Sequence, residues 1–348
     1  ISSFAQYDFV PGDSILYYDD FNQDVNGELP LGWNTNGSAE VVTLDKMPGN
    51  WLRLHQSFAF LSRNEKNFGD NYTVEFDMLL QLKNTGYMYP LLHFGLFASG
   101  EQSTTDNSFL SNQRQNAAVA VKLQPGEFKS SRIKLESFSD GKDWFHNEGR
   151  IFEPIEHWYG QSVHVAMQVQ KERLRLWMNG EKIYDLPKAV PNTAMMNQIY
   201  FQVDRSNYKE DEYGIYINNL KVAKGRADTR HKLLDEGRFS TSAILFDVNA
   251  ASIKPESEPV IKEIASLLKE YKDVKIKIVG HTDSDGADAD NLLLSKKRAE
   301  SVKDKLVSSY QIDVARISTD GKGEAEPLAD NKSKEGKAAN RRVEFIKM

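Results

Sequence analysis

The chain has 348 residues, of which 40% are hydrophobic and 27% charged, and it contains no cysteine. That length is enough for two domains or one large one, and the missing cysteines exclude disulfides, thiolate nucleophiles and Cys-based zinc sites. The net charge of −6 lies wholly in residues 1–241, with 25 basic against 31 acidic groups, while 242–348 balance at 19 each. No basic patch suggests nucleic acid, and no apolar run approaches the ~20 residues of a membrane-spanning helix.

Residues 1–225 read as β. Short alternating runs recur at 41–44, 51–54, 72–80, 117–123, 132–135, 163–170, 173–178, 199–203 and 214–222. Turn signals separate them, and Asn179-Gly180 is the clearest, because both central residues of a tight hairpin must accept positive φ. About ten such strands predict an all-β jelly-roll sandwich. Residues 226–241 turn charged and polar, as a linker would, with a short helix expected at Thr229–Glu236.

Residues 242–348 alternate strand and helix. Ala243–Asp247 reads as a first strand, and Pro255 precedes a helix with its apolar stripe at Val260, Ile264, Leu267, Leu268 and Tyr271. Val274–Val279 alternates as a half-buried strand. Asn291–Tyr310 reads as a helix with its core face at Leu292, Ala299, Val302 and Leu306. Strands at 316–319 and 342–346 complete an α/β sandwich, a four-stranded sheet with helices on one face.

The chemistry concentrates where Gly280-His281-Thr282-Asp283 ends a strand and Asn291, Leu294 and Arg298 follow at helical spacing. Gly280 and Gly286 bracket the loop that carries Asp283. Held apart, Asp283 accepts from an ammonium and Arg298 forks a carboxylate, which together grip a zwitterionic amino acid. Paired with each other, they would bind nothing.

These residues, with Phe246-Asp247, Ile253-Lys254-Pro255, Ser295, Ala299, Gly321, Gly323-Glu324, Pro327, Asn331, Gly336 and Asn340-Arg341-Arg342-Val343-Glu344, resemble the OmpA-like peptidoglycan-binding domain over essentially all of 240–348. The resemblance implies that Asp283 takes the amino group of diaminopimelate in the peptidoglycan stem peptide and Arg298 its carboxylate. It further implies that the Phe246-Asp247 backbone lines the site, with Asn291, Leu294, Arg341 and Arg342 in support. The front half resembles a concanavalin-A-like (laminin-G-like) jelly roll through Asp19-Asp20-Phe21, Val74-Glu75-Phe76-Asp77 and Leu176-Trp177-Met178-Asn179-Gly180. Fused domains of these two kinds resemble envelope proteins of Bacteroidetes-type bacteria.

No cofactor or metal is expected. The register of 283–288 fails the calcium-loop pattern, and the seven histidines lack ligand spacing. Glu75 and Asp77 resemble part of a glycanase carboxylate motif, but Leu80 stands where a second Glu is needed. The expected function is therefore a non-catalytic protein that binds peptidoglycan through its tail, its jelly roll meeting a glycan or protein. Trp33, Trp144, Trp158 and Tyr208 are candidates to stack on sugar. The alternative is a wall-tethered glycan hydrolase. The expected location is the periplasm, associated with the outer membrane. Ile1 in place of Met is read as a removed signal peptide, with a lipid anchor lost beside it.

Overall fold

A computed structural model describes residues 7–63, 66–100, 103–225 and 229–348. Residues 1–6 of the expected front domain and 226–228 of the expected linker lie outside the described residues. The chain divides into two compact units, one of Asp19–Val222 and one that joins Ile1–Tyr18 to Ala223–Met348. Residues 7–18, read from sequence as part of the front domain, fall in the same unit as the tail. Among the described residues no helix is long and apolar enough to cross a membrane.

The first unit is built from two large sheets. One runs in the order Glu181–Leu186, Arg173–Met178, Ser162–Gln170, Asn71–Leu82, Tyr213–Lys224, Met47–Leu54, Ala39–Leu44. The other runs Lys142–His146, Arg132–Ser139, Ala118–Gln124, Leu92–Phe97, Gln198–Val203, Phe58–Leu61, Asn34–Thr35. Period-2 alternation decides which side chains meet. On Asn71–Leu82, Val74, Phe76, Met78 and Leu80 share one face, and the Phe76 ring lies edge-on to Phe94 and Phe201 of the other sheet at 5.5 and 5.2 Å. The sheets therefore lie face to face, and each such buried ring contributes about 1.5–3 kcal/mol. The hairpin at Asn179-Gly180 forms with φ of +46° and +80°.

Several strands escaped the sequence reading, among them Ser14–Asp19, Phe58–Leu61, Leu92–Phe97 and Lys142–His146. Leu92–Phe97 is buried at every position, so no alternation exists to be read, and Phe58–Leu61 spans only four residues.

In the second unit the sheet order is Arg238–Thr241, Val343–Lys347, Ile276–Gly280, Ile317–Gly321, antiparallel except for the last, parallel pair. Phe239, Phe345, Ile278 and Ile276 align on one face of it. They share a single core with Val260, Ile264 and Leu268 of the helix Glu258–Glu270 and with Ala299, Val302 and Leu306 of the helix Asp288–Tyr310. Both helices thus cover that same face.

Three expectations need correction. Ala243–Asp247 is not a strand: Ala243 and Ile244 are buried in the core, but only an isolated Phe246↔Ile253 bridge forms there. The fourth strand is Arg238–Thr241, inside the segment expected as a linker. As an edge strand with one buried apolar residue, Phe239, it has almost no hydrophobic signature. Leu292, expected in the core, is 52% exposed, because the buried stripe of its helix runs through Asn291, Ser295, Ala299, Val302 and Leu306.

Candidate functional site

The site grows from the end of strand Ile276–Gly280. At Gly280 a Cβ would lie 2.0 Å from the Ser295 carbonyl oxygen, so only glycine lets the strand press this closely on the long helix. Ser295 is fully buried and serves both neighbours: its Oγ donates to Leu292 O at 2.8 Å and accepts from Gly323 N at 2.9 Å. The connecting loop turns at Gly286, whose φ is +102°. Asn291, at the start of the helix, ties that loop down. Its Nδ2 donates to Asp285 O at 3.1 Å and to Glu324 Oε2 at 2.7 Å, with Asp283 O at 3.4 Å.

Asp283 is consequently held rigidly and is only 6% exposed. Its Oδ1 accepts from Asp285 N at 3.1 Å, and its Oδ2 is taken by Arg341 Nη1 at 2.5 Å. Arg298 finds other partners. Its Nε donates to Ala250 O at 3.0 Å, and its guanidinium lies 4.9 Å from the centre of the Phe246 ring. Among the described residues its two Nη groups have no hydrogen-bond partner. Burial lowers the Arg298 pKa to about 10, Arg341 pushes the same way, and Asp283 opposes them. Arg298 therefore stays charged at neutral pH and lies within electrostatic reach of both.

Of the residues singled out from sequence, the structure brings together Asp283, Arg298, Phe246 and Arg341, with Asn291 bracing the loop. The turn after Phe246 contributes the carbonyl of Ala250, whereas Asp247 is exposed and accepts from Ser252 Oγ at 2.5 Å. Leu294 is half-buried on the helix flank. Arg342 is not brought in. It is 6% exposed and donates to Glu326 O at 3.0 Å and Asn340 O at 3.4 Å. Burial, then Arg342, pushes the nearby His281 down to about pKa 4, so that imidazole is neutral. Sequence reasoning put Arg341 among supporting positions and missed that it neutralises Asp283. The adjacent pair Arg341-Arg342 was the only signal, and spacing cannot say which of two neighbours turns inward.

The front unit holds a second polar cluster. Glu75 and Asp77 lie on one face of their strand, and His164 bridges them, with Nδ1 3.0 Å from Asp77 Oδ1 and Nε2 3.4 Å from Glu75 Oε1. Lys221 Nζ lies 2.8 Å from Glu75 Oε2, and Asn219 Nδ2 donates to Asp77 Oδ2 at 2.7 Å. Burial alone would raise the Glu75 pKa, but Lys221 and His164 hold it at about 2. Glycoside hydrolysis needs a carboxylic acid with a raised pKa, and Glu75 is the opposite. Among the stacking candidates, Trp33 and Tyr208 are buried, Trp33 Nε1 donating to Asp19 Oδ2 at 3.0 Å. Trp158 is half-buried and packs edge-on against Phe152, and Trp144 is 38% exposed.

Residues 245–341 match the OmpA family. Over 100 residues the chain is 46% identical to outer membrane protein Omp38 of Acinetobacter baumannii, covering 29% of this chain and 28% of that protein. It is 42% identical over 137 residues to the probable lipoprotein YiaD of Escherichia coli, covering 37% and 62%. Among solved structures it is similar to the peptidoglycan-associated lipoprotein of Burkholderia pseudomallei, with 28% identity, a TM-score of 0.29, and coverage of 31% of this chain and 89% of that one. It is also similar to the cell wall anchor of the T6SS from Pseudomonas aeruginosa, at 27% identity, TM-score 0.29, covering 35% and 96%. The chain thus carries a C-terminal OmpA-like domain joined to a sheet-rich unit.

Proposed function

We propose that the OmpA-like unit binds peptidoglycan by the diaminopimelate of its stem peptide, and that the chain is a non-catalytic protein of the cell envelope. One observation carries this reading: Asp283 and Arg298, on rigid elements, do not neutralise each other, and the two Nη groups of Arg298 have no protein partner among the described residues. A guanidinium edge of that kind takes a carboxylate in two parallel bonds. Asp283, Arg298 and Arg341 together carry a formal charge of +1, which suits an amino-acid group whose carboxylate enters first. Relatives named as an outer membrane protein and a lipoprotein support a place in the periplasm at the outer membrane.

For the front unit we infer a concanavalin-A-like jelly roll that meets a glycan or a protein. Two sheets face to face and the Asn179-Gly180 hairpin support it. The ionised state of Glu75 and the pairing of Asp77 with His164 speak against the hydrolase alternative.

The test is retention of the full chain on purified sacculi. Arg298→Ala removes the carboxylate fork, and loss of one member of a desolvated charge pair costs roughly 2–5 kcal/mol, enough to abolish retention. Asp283→Ala should act in the same direction. Undiminished retention of both variants refutes the proposal.

A further inference from the structure

Residues 7–18 belong to the same compact unit as the OmpA-like fold, far outside the matched stretch 245–341. Val10 packs against the C-terminal core, and the Asp13 carboxylate takes Lys232 Nζ at 2.7 Å. The segment then arrives beside the site. Tyr18 N lies 3.4 Å from Glu335 Oε1, and the Arg341 guanidinium sits over the Tyr18 ring, 4.9 Å from its centre. Arg341 is thereby held on two sides, by the Asp283 carboxylate and by the aromatic face.

We propose that Tyr18 is a positioning residue of the binding site, which keeps Arg341 on Asp283. The proposal rests on the reading of Asp283 and Arg298 as the diaminopimelate site. An arginine on a surface segment samples many rotamers, and its side chain here is 31% exposed. The ring selects the rotamer in which Arg341 neutralises one Asp283 oxygen. Asp283 then lies within electrostatic reach of two guanidiniums, Arg341 and Arg298, which draw in a ligand carboxylate before its ammonium reaches Asp283. Without the ring, Arg341 swings away and its share of that attraction is lost.

The experiment is calorimetric titration of the full chain with the soluble stem tripeptide L-Ala-γ-D-Glu-meso-diaminopimelate. Tyr18→Phe keeps the aromatic face and should bind as the wild type does. Tyr18→Leu keeps bulk but loses the cation–π contact, and should weaken binding about three- to tenfold. In an Arg341→Ala background, Tyr18→Leu should have no further effect, an outcome that a role confined to folding would not produce. The idea falls if Tyr18→Leu binds as tightly as wild type, or if its effect is undiminished in the Arg341→Ala background, while wild-type binding and its loss in Arg298→Ala leave the parent reading standing. Absence of wild-type binding sinks both.

Discussion

Replacing Gly280 by alanine tests how the site is assembled. The added Cβ would stand 2.0 Å from Ser295 O and 2.8 Å from Ser295 C. Both are backbone atoms of a helix, so no side chain can rotate aside. Reaching an ordinary 3.4 Å contact requires about 1.4 Å of movement between strand and helix. Gly280 has no positive φ, so the cost is steric and not conformational. Overpacking of this kind costs about 1–3 kcal/mol. With a urea dependence of about 2 kcal/mol/M, the unfolding midpoint of the tail should fall by roughly 0.5–1.5 M.

The chain supplies its own two reporters. All five tryptophans, Trp33, Trp51, Trp144, Trp158 and Trp177, lie in Asp19–Val222, so indole fluorescence follows the front unit alone. The two long helices, Glu258–Glu270 and Asp288–Tyr310, lie in the tail and dominate circular dichroism at 222 nm. Gly280→Ala should lower the dichroism midpoint, leave the fluorescence midpoint in place, and weaken sacculus binding, since Asn291 and Arg298 flank Ser295 on the displaced helix. An unmoved dichroism midpoint, or an equal shift in both signals, would show that the strand–helix contact is not the constraint described.

Two further outcomes follow from buried groups. Burial alone would lower the His164 pKa, but the hydrogen bond to Asp77 and the nearby Glu75 carboxylate raise it from 6.5 to about 10, so its stabilisation is full below pH 6.5 and is lost as pH rises towards 10. Glu75 is lowered from 4.5 to about 2, so its stabilisation is full above pH 4.5 and is lost as pH falls towards 2. The tryptophan-detected urea midpoint should therefore be flat from pH 4.5 to 6.5 and decline on both sides, and a rise between pH 7 and 9 would contradict the network. Leu292→Ser, at an exposed position, should change tail stability by less than about 0.5 kcal/mol, whereas Leu306→Ala at the fully buried position should cost roughly 2–5 kcal/mol; equal costs by dichroism-detected unfolding would overturn the assigned helix face.

Much of the architecture was legible because it rests on local rules. Alternation marks Asn71–Leu82 and Ser162–Gln170, and Asn179-Gly180 declares its own turn. Legibility failed where burial is two-sided, as in Leu92–Phe97, or where an edge strand carries one apolar residue, as in Arg238–Thr241. Leu292 was misplaced by one helical step because the residues that do face inward there, Asn291 and Ser295, are polar. They are buried for the hydrogen bonds they make to the loop and to Gly323, which a hydrophobic pattern cannot register. The site shows the same division. Asp283 and Arg298 stood out by spacing, but Arg341's grip on Asp283 joins residues 58 positions apart, and Tyr18 lies further still.

The discontinuity of the tail unit bears on how the protein is made. Synthesis delivers Val10 and Tyr18 first, then the whole of Asp19–Val222, and only afterwards the core and the arginine they join. Val10 therefore reaches its seat on that core only after the intervening strands have emerged. A fragment cut to begin at Ala223 would leave Val10's seat on the core empty and one side of Arg341 open to water. Severing the polypeptide where the sequence changes texture would thus remove a piece of the unit it was meant to isolate.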